Sequence, residues 1–504
     1  MQNHIELQHT GTVHLRSDIA GTGRDLSLKK VCSTILLALF TLTAHSQFIV
    51  IDTLKPFFEW KIPLVDLPFM MDAAQAEANQ QHLINEGSGP DVSISDYLKF
   101  YRNLSMVQNT EVARNLHGTF YFGHNALWYK LYKPTTTKRY VLNRLFANLT
   151  AAATDFLLIK SPFGFAYQHE EFHRSVMAVR GIYSYDEVWE FGKGFDIAVT
   201  HVSDENLIWL KSKYPADMAR LMSAGVEAEY AFIHRLREDN FFESMNLPAV
   251  GISILGTIHS ISYVNLPFAS RFNEITDSIL SHDKNNILAR DFTGYDFSAW
   301  VYDLIRNDEP YEARGQWPGG IGIRRPVSET DLTDEMKSFL RETGNMQYLN
   351  LVSPFLLGIN RMRLRDGSFF NFALRSVPTS FGYYAGGDFF LDKNNKKFLI
   401  SAGVNRSKNL TLPQLEVERY DLKPWASKQF TTGIRLALWL QPKDQLFSAD
   451  KPQPGLMVEI KPEFMPGRHA GMYSSISYKT RGWVFSYPYL DSKFSFLIGF
   501  LIRT

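Results

Sequence analysis

Two hydrophobic periods divide the chain. Between about residue 95 and about residue 350 apolar positions recur at helical spacing, and beyond about Leu356 they alternate with a period of two. Leu142, Leu145, Phe146, Leu149, Ala153 and Phe156 form one apolar stripe, which predicts a helix ending near Ser161-Pro162. A second helix is predicted from about Phe165 to Arg180, stopped by Gly181, because glycine readily takes the left-handed backbone that ends helices. A third opens at Pro215, whose missing N–H costs nothing in a first turn, and runs to about Arg237. The very apolar segment Leu247 to Leu266, with Gly251, Gly256 and His259, is expected to be a buried helix near any functional site.

In the second half Ile434, Leu436, Leu438 and Leu440 alternate with Gly433, Arg435, Ala437 and Trp439. Leu456, Val458 and Ile460 alternate with Met457, Glu459 and Lys461, and Phe398 to Asn405 behaves alike. The last such run places Phe494, Phe496, Ile498, Phe500 and Ile502 on one face. About eight segments of this kind are separated by turn chemistry such as Asp392-Lys393-Asn394-Asn395. One face is uniformly apolar while the other mixes Gly, Ser, charge and aromatics. That pattern resembles the outer-membrane β-barrels, apolar outward and polar inward, and a soluble antiparallel sandwich shares the alternation. The fold class expected is therefore α+β: a mainly helical domain over 47–350 and an antiparallel barrel of about eight strands over 351–504.

The N-terminus changes the setting. Lys29-Lys30 precede an apolar run from Val31 to Thr43, and Ala44-His45-Ser46 follows, so residues 1–46 read as a secretory signal with Gln47 after the cut. The residues before Lys29 are long for a signal, and a start nearer Leu26 or Leu28 fits better. Cys32, the only cysteine, lies within that segment, so neither disulfides nor a thiolate metal site is expected beyond it. With 53 basic and 52 acidic residues the net charge is +1, which gives no reason to expect a nucleic-acid partner.

The chemistry concentrates in His169-Glu170-Glu171-Phe172-His173, an H-E-x-x-H pattern on the second predicted helix. Positions i and i+4 share a helix face, so both imidazoles can grip one ion, with Glu170 beside the open coordination position as a general base. The pattern resembles that of the zincin metallopeptidases, over this helix and one later one. The resemblance implies Zn2+ as cofactor and, in the gluzincin arrangement, a third ligand from a downstream helix. Glu227 and Glu229 in Ala224-Gly225-Val226-Glu227-Ala228-Glu229 are the candidates. Glu227 is favoured because it shares a face with Ser223, Ala231 and His234. Glu229 interrupts an apolar stripe and should need a partner, which suits a carboxylate that orients a ligating His. Small residues around Gly225 would let the two helices approach. His234, Tyr230, Tyr183, Tyr185 and His201 are candidate oxyanion stabilisers. Val179 stands where a metzincin would carry its third His, and the thermolysin-type element is absent.

These readings combine into an exported zinc-dependent metallopeptidase-like protein with catalytic Glu170 and metal ligands His169, His173 and Glu227. A barrel would anchor it in the outer membrane of a Gram-negative envelope, with the zinc domain on the periplasmic side and a protein or peptide substrate. The alternative is a non-catalytic envelope assembly or structural protein with a structural or degraded metal site.

Overall fold

The computed structural model describes residues 55–85, 103–159, 161, 164–189, 196–424 and 429–504. The expected signal segment lies outside the described residues. Strand β1 (Glu59–Leu67) comes first, followed by α1 (Phe69–Asn85), α2 (Met106–Leu131), α3 (Thr137–Leu158) and α4 (Phe165–Ala178). A small hairpin, β2 (Tyr185–Trp189) and β3 (Asp196–Thr200), leads to α5 (Asp204–Lys213), α6 (Pro215–Phe241), α7 (Val250–Asn265), α8 (Phe272–Ser281), α9 (Asp296–Ile305) and α10 (Asp334–Met346). The chain then enters β4 (Met362–Arg363), β5 (Phe369–Thr379), β6 (Gly382–Lys393), β7 (Lys396–Arg406) and β8 (Thr411–Leu422). Four more strands complete the series: β9 (Phe430–Pro442), β10 (Pro452–Phe464), β11 (Ala470–Lys479) and β12 (Lys493–Arg503).

The β region departs from the barrel of about eight strands that the alternation suggests. Ten strands form one antiparallel sheet in the order β1-β12-β11-β10-β9-β8-β7-β6-β5-β4, and its ends do not pair, so it is open. Two strands lie outside the expected count: β4 is only two residues long, and β1, ahead of all the helices, joins β12 from Glu59↔Arg503 to Leu67↔Phe496. Each outer edge is partly paired by a side-chain amide from a helical segment. At the β1 edge Asn115 of α2 accepts from the backbone N–H of Lys61 at 3.3 Å and donates to its carbonyl at 2.6 Å. At the β5 edge Asn350 does the same for Ser376, accepting at 2.8 Å and donating at 3.0 Å. Each amide stands in for one peptide of a missing strand and satisfies the N–H and C=O of that residue.

The two sheet faces are opposite in character. Ile434, Leu436 and Leu438 on β9 and Leu456, Val458 and Ile460 on β10 are exposed. The inner face carries a charged network in which Arg435 donates to both oxygens of Glu416, at 2.8 and 2.9 Å, and Lys461 reaches Glu418 at 2.8 Å. A cavity of about 280 Å³ lies among these groups. Helix α6 is nearly all buried and lines this interior with Ala231, His234, Arg235 and Glu238, beside Thr110 and Glu111 of α2. Its Met218 and Met222 join Met177 and Trp300 from the helices and Val377, Tyr384 and Trp483 from the β region in one core, spanning both sides of residue 350.

Candidate metal centre

Helix α4 presents the H-E-x-x-H residues. It ends as its sequence predicts, with Gly181 at φ +67° and backbone bonds from Gly181 to Ala178 and from Ile182 to Met177. The one-turn spacing of His169 and His173 puts both rings on the buried side, with ring centroids 5.1 Å apart. His169 meets α6 at Gly225, where a Cβ would come within 2.1 Å of its Nε2. Only glycine lets the imidazole lie against that helix.

The third group is Asp296, the first residue of α9. Its Oδ2 lies 3.4 Å from His169 Nε2 and 3.3 Å from His173 Nε2. These three donors fall within 4.8 Å of one another, so the buried trio could hold a metal ion. The opposite ring nitrogens are fixed. His169 Nδ1 is 2.9 Å from Glu229 Oε1, and His173 Nδ1 is 2.6 Å from the Leu221 carbonyl. Acceptors at Nδ1 hold the tautomer that leaves Nε2 free to ligate, the usual support behind a ligating histidine. Glu229 is held in turn by His259 Nδ1 at 2.8 Å and by the Ser260 hydroxyl.

The electrostatics follow from burial and proximity. Burial alone would lower both imidazoles, but Asp296 and Glu229 outweigh it at His169, and Asp296 does so at His173, so both rings are held above their ordinary range. Asp296 is depressed, since the two imidazoles overcome its desolvation. Burial pushes half-buried Glu170 up to about 7 against the pull of both imidazoles, with Asp291 and Asp296 adding to the rise. Burial likewise raises Asp291 to about 6, although the Thr293 and Gly294 amides hydrogen-bond its carboxylate. The trio itself is 1–7% exposed at its side chains, whereas the neighbouring His259 side chain is 52% exposed. Tyr263 stacks on His259 with centroids 5.6 Å apart and meets His169 edge-on at 5.4 Å.

Glu227, expected as the third ligand, is elsewhere. It is ion-paired with Arg220 and accepts from Trp483 Nε1 at 3.1 Å and the Ser486 amide at 2.6 Å, tying α6 to the loop between β11 and β12. Residues two positions apart on a helix differ by about 200°, so Glu227 and Glu229 must face opposite sides. The Ser223–Glu227–His234 face looks toward the sheet, where His234 lies 3.5 Å from Asp388. Glu171 is the buried ion-pair partner of Arg174. Tyr230 accepts from Asn350 at 2.7 Å, and His201 contacts Thr200 and Tyr185. None of these oxyanion candidates belongs to the ligand trio. Asp296 is 127 residues from His169, and in sequence it looks like any acid opening a helix. No family model, curated protein or solved structure matches this chain.

Proposed function

We propose that the protein is a zinc-dependent hydrolase acting on peptide bonds, with His169, His173 and Asp296 as the metal ligands and Glu170 as the general base. The observation that carries this reading is the convergence of two Nε2 atoms on one Asp296 oxygen, beside a carboxylate that neighbours both rings. Two nitrogens and one oxygen, with no thiolate, suit zinc, and three protein ligands leave one tetrahedral position for water or substrate. A bound ion would supply Lewis acidity toward a carbonyl and lower the pKa of water. Glu170 takes a proton from the attacking water and returns it to the departing amine. Glu229 and the Leu221 carbonyl orient the two imidazoles, and Gly225 gives His169 its room.

The same reading seats the protein in the outer membrane of a Gram-negative envelope through the outward apolar face of its open sheet. A charged interior beneath an apolar exterior is the polarity that hydrocarbon favours. One peptide on each sheet edge, Lys61 and Ser376, is paired by a side-chain amide, which lessens the cost of placing that edge in lipid.

The test is elemental analysis of the purified protein together with hydrolysis of quenched fluorescent peptides. Wild type should contain about one zinc per chain and cleave. Glu170→Gln should keep the zinc and lose cleavage, whereas Asp296→Ala should lose both. Stoichiometric zinc without cleavage of any peptide would favour a structural metal site, which the deep burial of the trio also suits. Recovery of the protein in a soluble fraction would refute the membrane seat.

A further inference from the structure

Helix α3 is built inside out. Its buried positions, Asn143, Ala147, Ala151 and Asp155, recur every turn and are all small or polar. Leu149, Phe156 and Leu157 are 58, 74 and 79% exposed. Helix α2 repeats the arrangement: Phe120, Leu127 and Leu131 are exposed, while His117 and Tyr121 are buried against Asp155 at 3.0 and 2.6 Å. In water this distribution exposes the wrong residues. Against acyl chains it is favourable, because small and polar groups join helices while large apolar side chains face lipid.

The position of the hairpin gives that face a neighbour. Helix α2 stands along β1 through Asn115, and Trp60 Nε1 donates to Thr119 at 2.8 Å. The outward side of the hairpin therefore continues the outward apolar face of the sheet. None of the described helices is long and apolar enough to cross a membrane. A wall element needs lipid compatibility on one side only, and on its other side α3 packs on α7, where Gly251 meets Ala152. The turn between α2 and α3 adds a second observation. From Tyr129 to Tyr140 it holds three tyrosines, four exposed cations (Lys130, Lys133, Lys138 and Arg139) and no acid. Aromatics mixed with cations suit the interface and complement anionic headgroups.

We propose that the α2–α3 hairpin is the lipid-facing wall that takes the place of the missing strands beside β1. Its apolar face contacts acyl chains and its Lys130–Arg139 turn lies among anionic lipid headgroups. This rests on the membrane seat proposed above, and the experiment separates the two. In a Cys32→Ser background, single cysteines at Leu149, Phe156, Leu436 and Lys133 are labelled with a small fluorophore. The full chain is then reconstituted in vesicles of phosphatidylethanolamine and phosphatidylglycerol bearing brominated acyl chains. Labels at 149, 156 and 436 should be quenched by the brominated lipid and shielded from aqueous iodide, while the label at 133 is quenched by iodide. If 436 meets lipid but 149 and 156 meet only iodide, the hairpin proposal is overturned and the membrane seat stands. If all three meet only iodide, both fall. Lys133→Glu combined with Lys138→Glu should reduce insertion into phosphatidylglycerol-containing vesicles but not into phosphatidylcholine vesicles. Equal insertion of this variant and wild type in both would remove the headgroup contact.

Discussion

Oε1 of Glu229 lies 2.9 Å from Nδ1 of His169, on the side of the ring away from Asp296. That oxygen fixes the tautomer and raises the basicity of the ligating nitrogen. Glu229→Gln should therefore weaken zinc binding by about 10–100-fold, the usual cost of losing such support. Competition with a chromophoric chelator measures it. An affinity equal to wild type would show that the carboxylate only fills space.

Asp296 is assigned as a ligand rather than a support, so its loss should exceed that range. Asp296→Asn removes the charge and keeps the shape. Zinc affinity should fall by more than the ~100-fold expected of an outer carboxylate. If it falls less than in Glu229→Gln, the two roles have been assigned in the wrong order.

Gly225→Ala tests the fit between α4 and α6. The added methyl would meet the His169 ring, which cannot retreat without leaving Glu229. Overpacking of this kind costs roughly 1–3 kcal/mol, and the displaced imidazole should bind zinc poorly. Thermal unfolding with and without zinc should show a lower midpoint and a much smaller zinc-induced rise. A full zinc-induced rise would mean the ring has another resting place.

Glu227→Ala should act on stability and spare the metal. It strands Arg220 in the interior without its carboxylate and frees the Trp483 and Ser486 donors. Breaking a buried pair this way costs about 3–5 kcal/mol. Denaturation midpoints should drop while the folded fraction retains stoichiometric zinc. Loss of zinc at intact stability is the contrary result.

Lys479 gives the fold a pH dependence. It is fully buried, and burial lowers its pKa from 10.5 to about 7, while its Nζ donates to the Asp491 carbonyl at 2.9 Å and the Leu490 carbonyl at 3.3 Å. Its folded pKa is thus depressed below the unfolded one. As pH falls from about 10.5 to about 7 the unfolded chain takes up a proton that the folded chain refuses, so this group's contribution to stability declines across that window. Below about 7 its contribution is constant. Chemical denaturation at several pH values should show a steeper slope between pH 7 and 10 for wild type than for Lys479→Met. Parallel curves would sink this account.

What the sequence displayed and what it hid divide along physical lines. The helix around His169, its stop at Gly181 and the start at Pro215 depend on neighbours within a few residues, and they were legible. So was the need of Glu229 for a partner, because a carboxylate inside an apolar stripe cannot remain unpaired. Asp296 and β1 reach their places through tertiary contacts from distant regions of the chain, which no local spacing encodes. Periodicity also located the α3 stripe without saying which way it turns. Leu145, Leu149 and Phe156 carry the period of a core-facing helix, yet the core side is Asn143, Ala147, Ala151 and Asp155.

The two asparagines at the sheet margins give this fold a seam. Interior strands such as β9 and β10 are laced by a continuous ladder, but β1 is joined to α2 by the Asn115 amide, an Arg114 guanidinium bond to Glu59 and the Trp60 indole. A ladder separates cooperatively, whereas a few stitches give way singly. Under force or denaturant the shell should open along this line first, leaving the metal centre on α4, α6 and α9 still assembled. Hydrogen exchange would register this order as early loss of protection along β1 and late loss at α4.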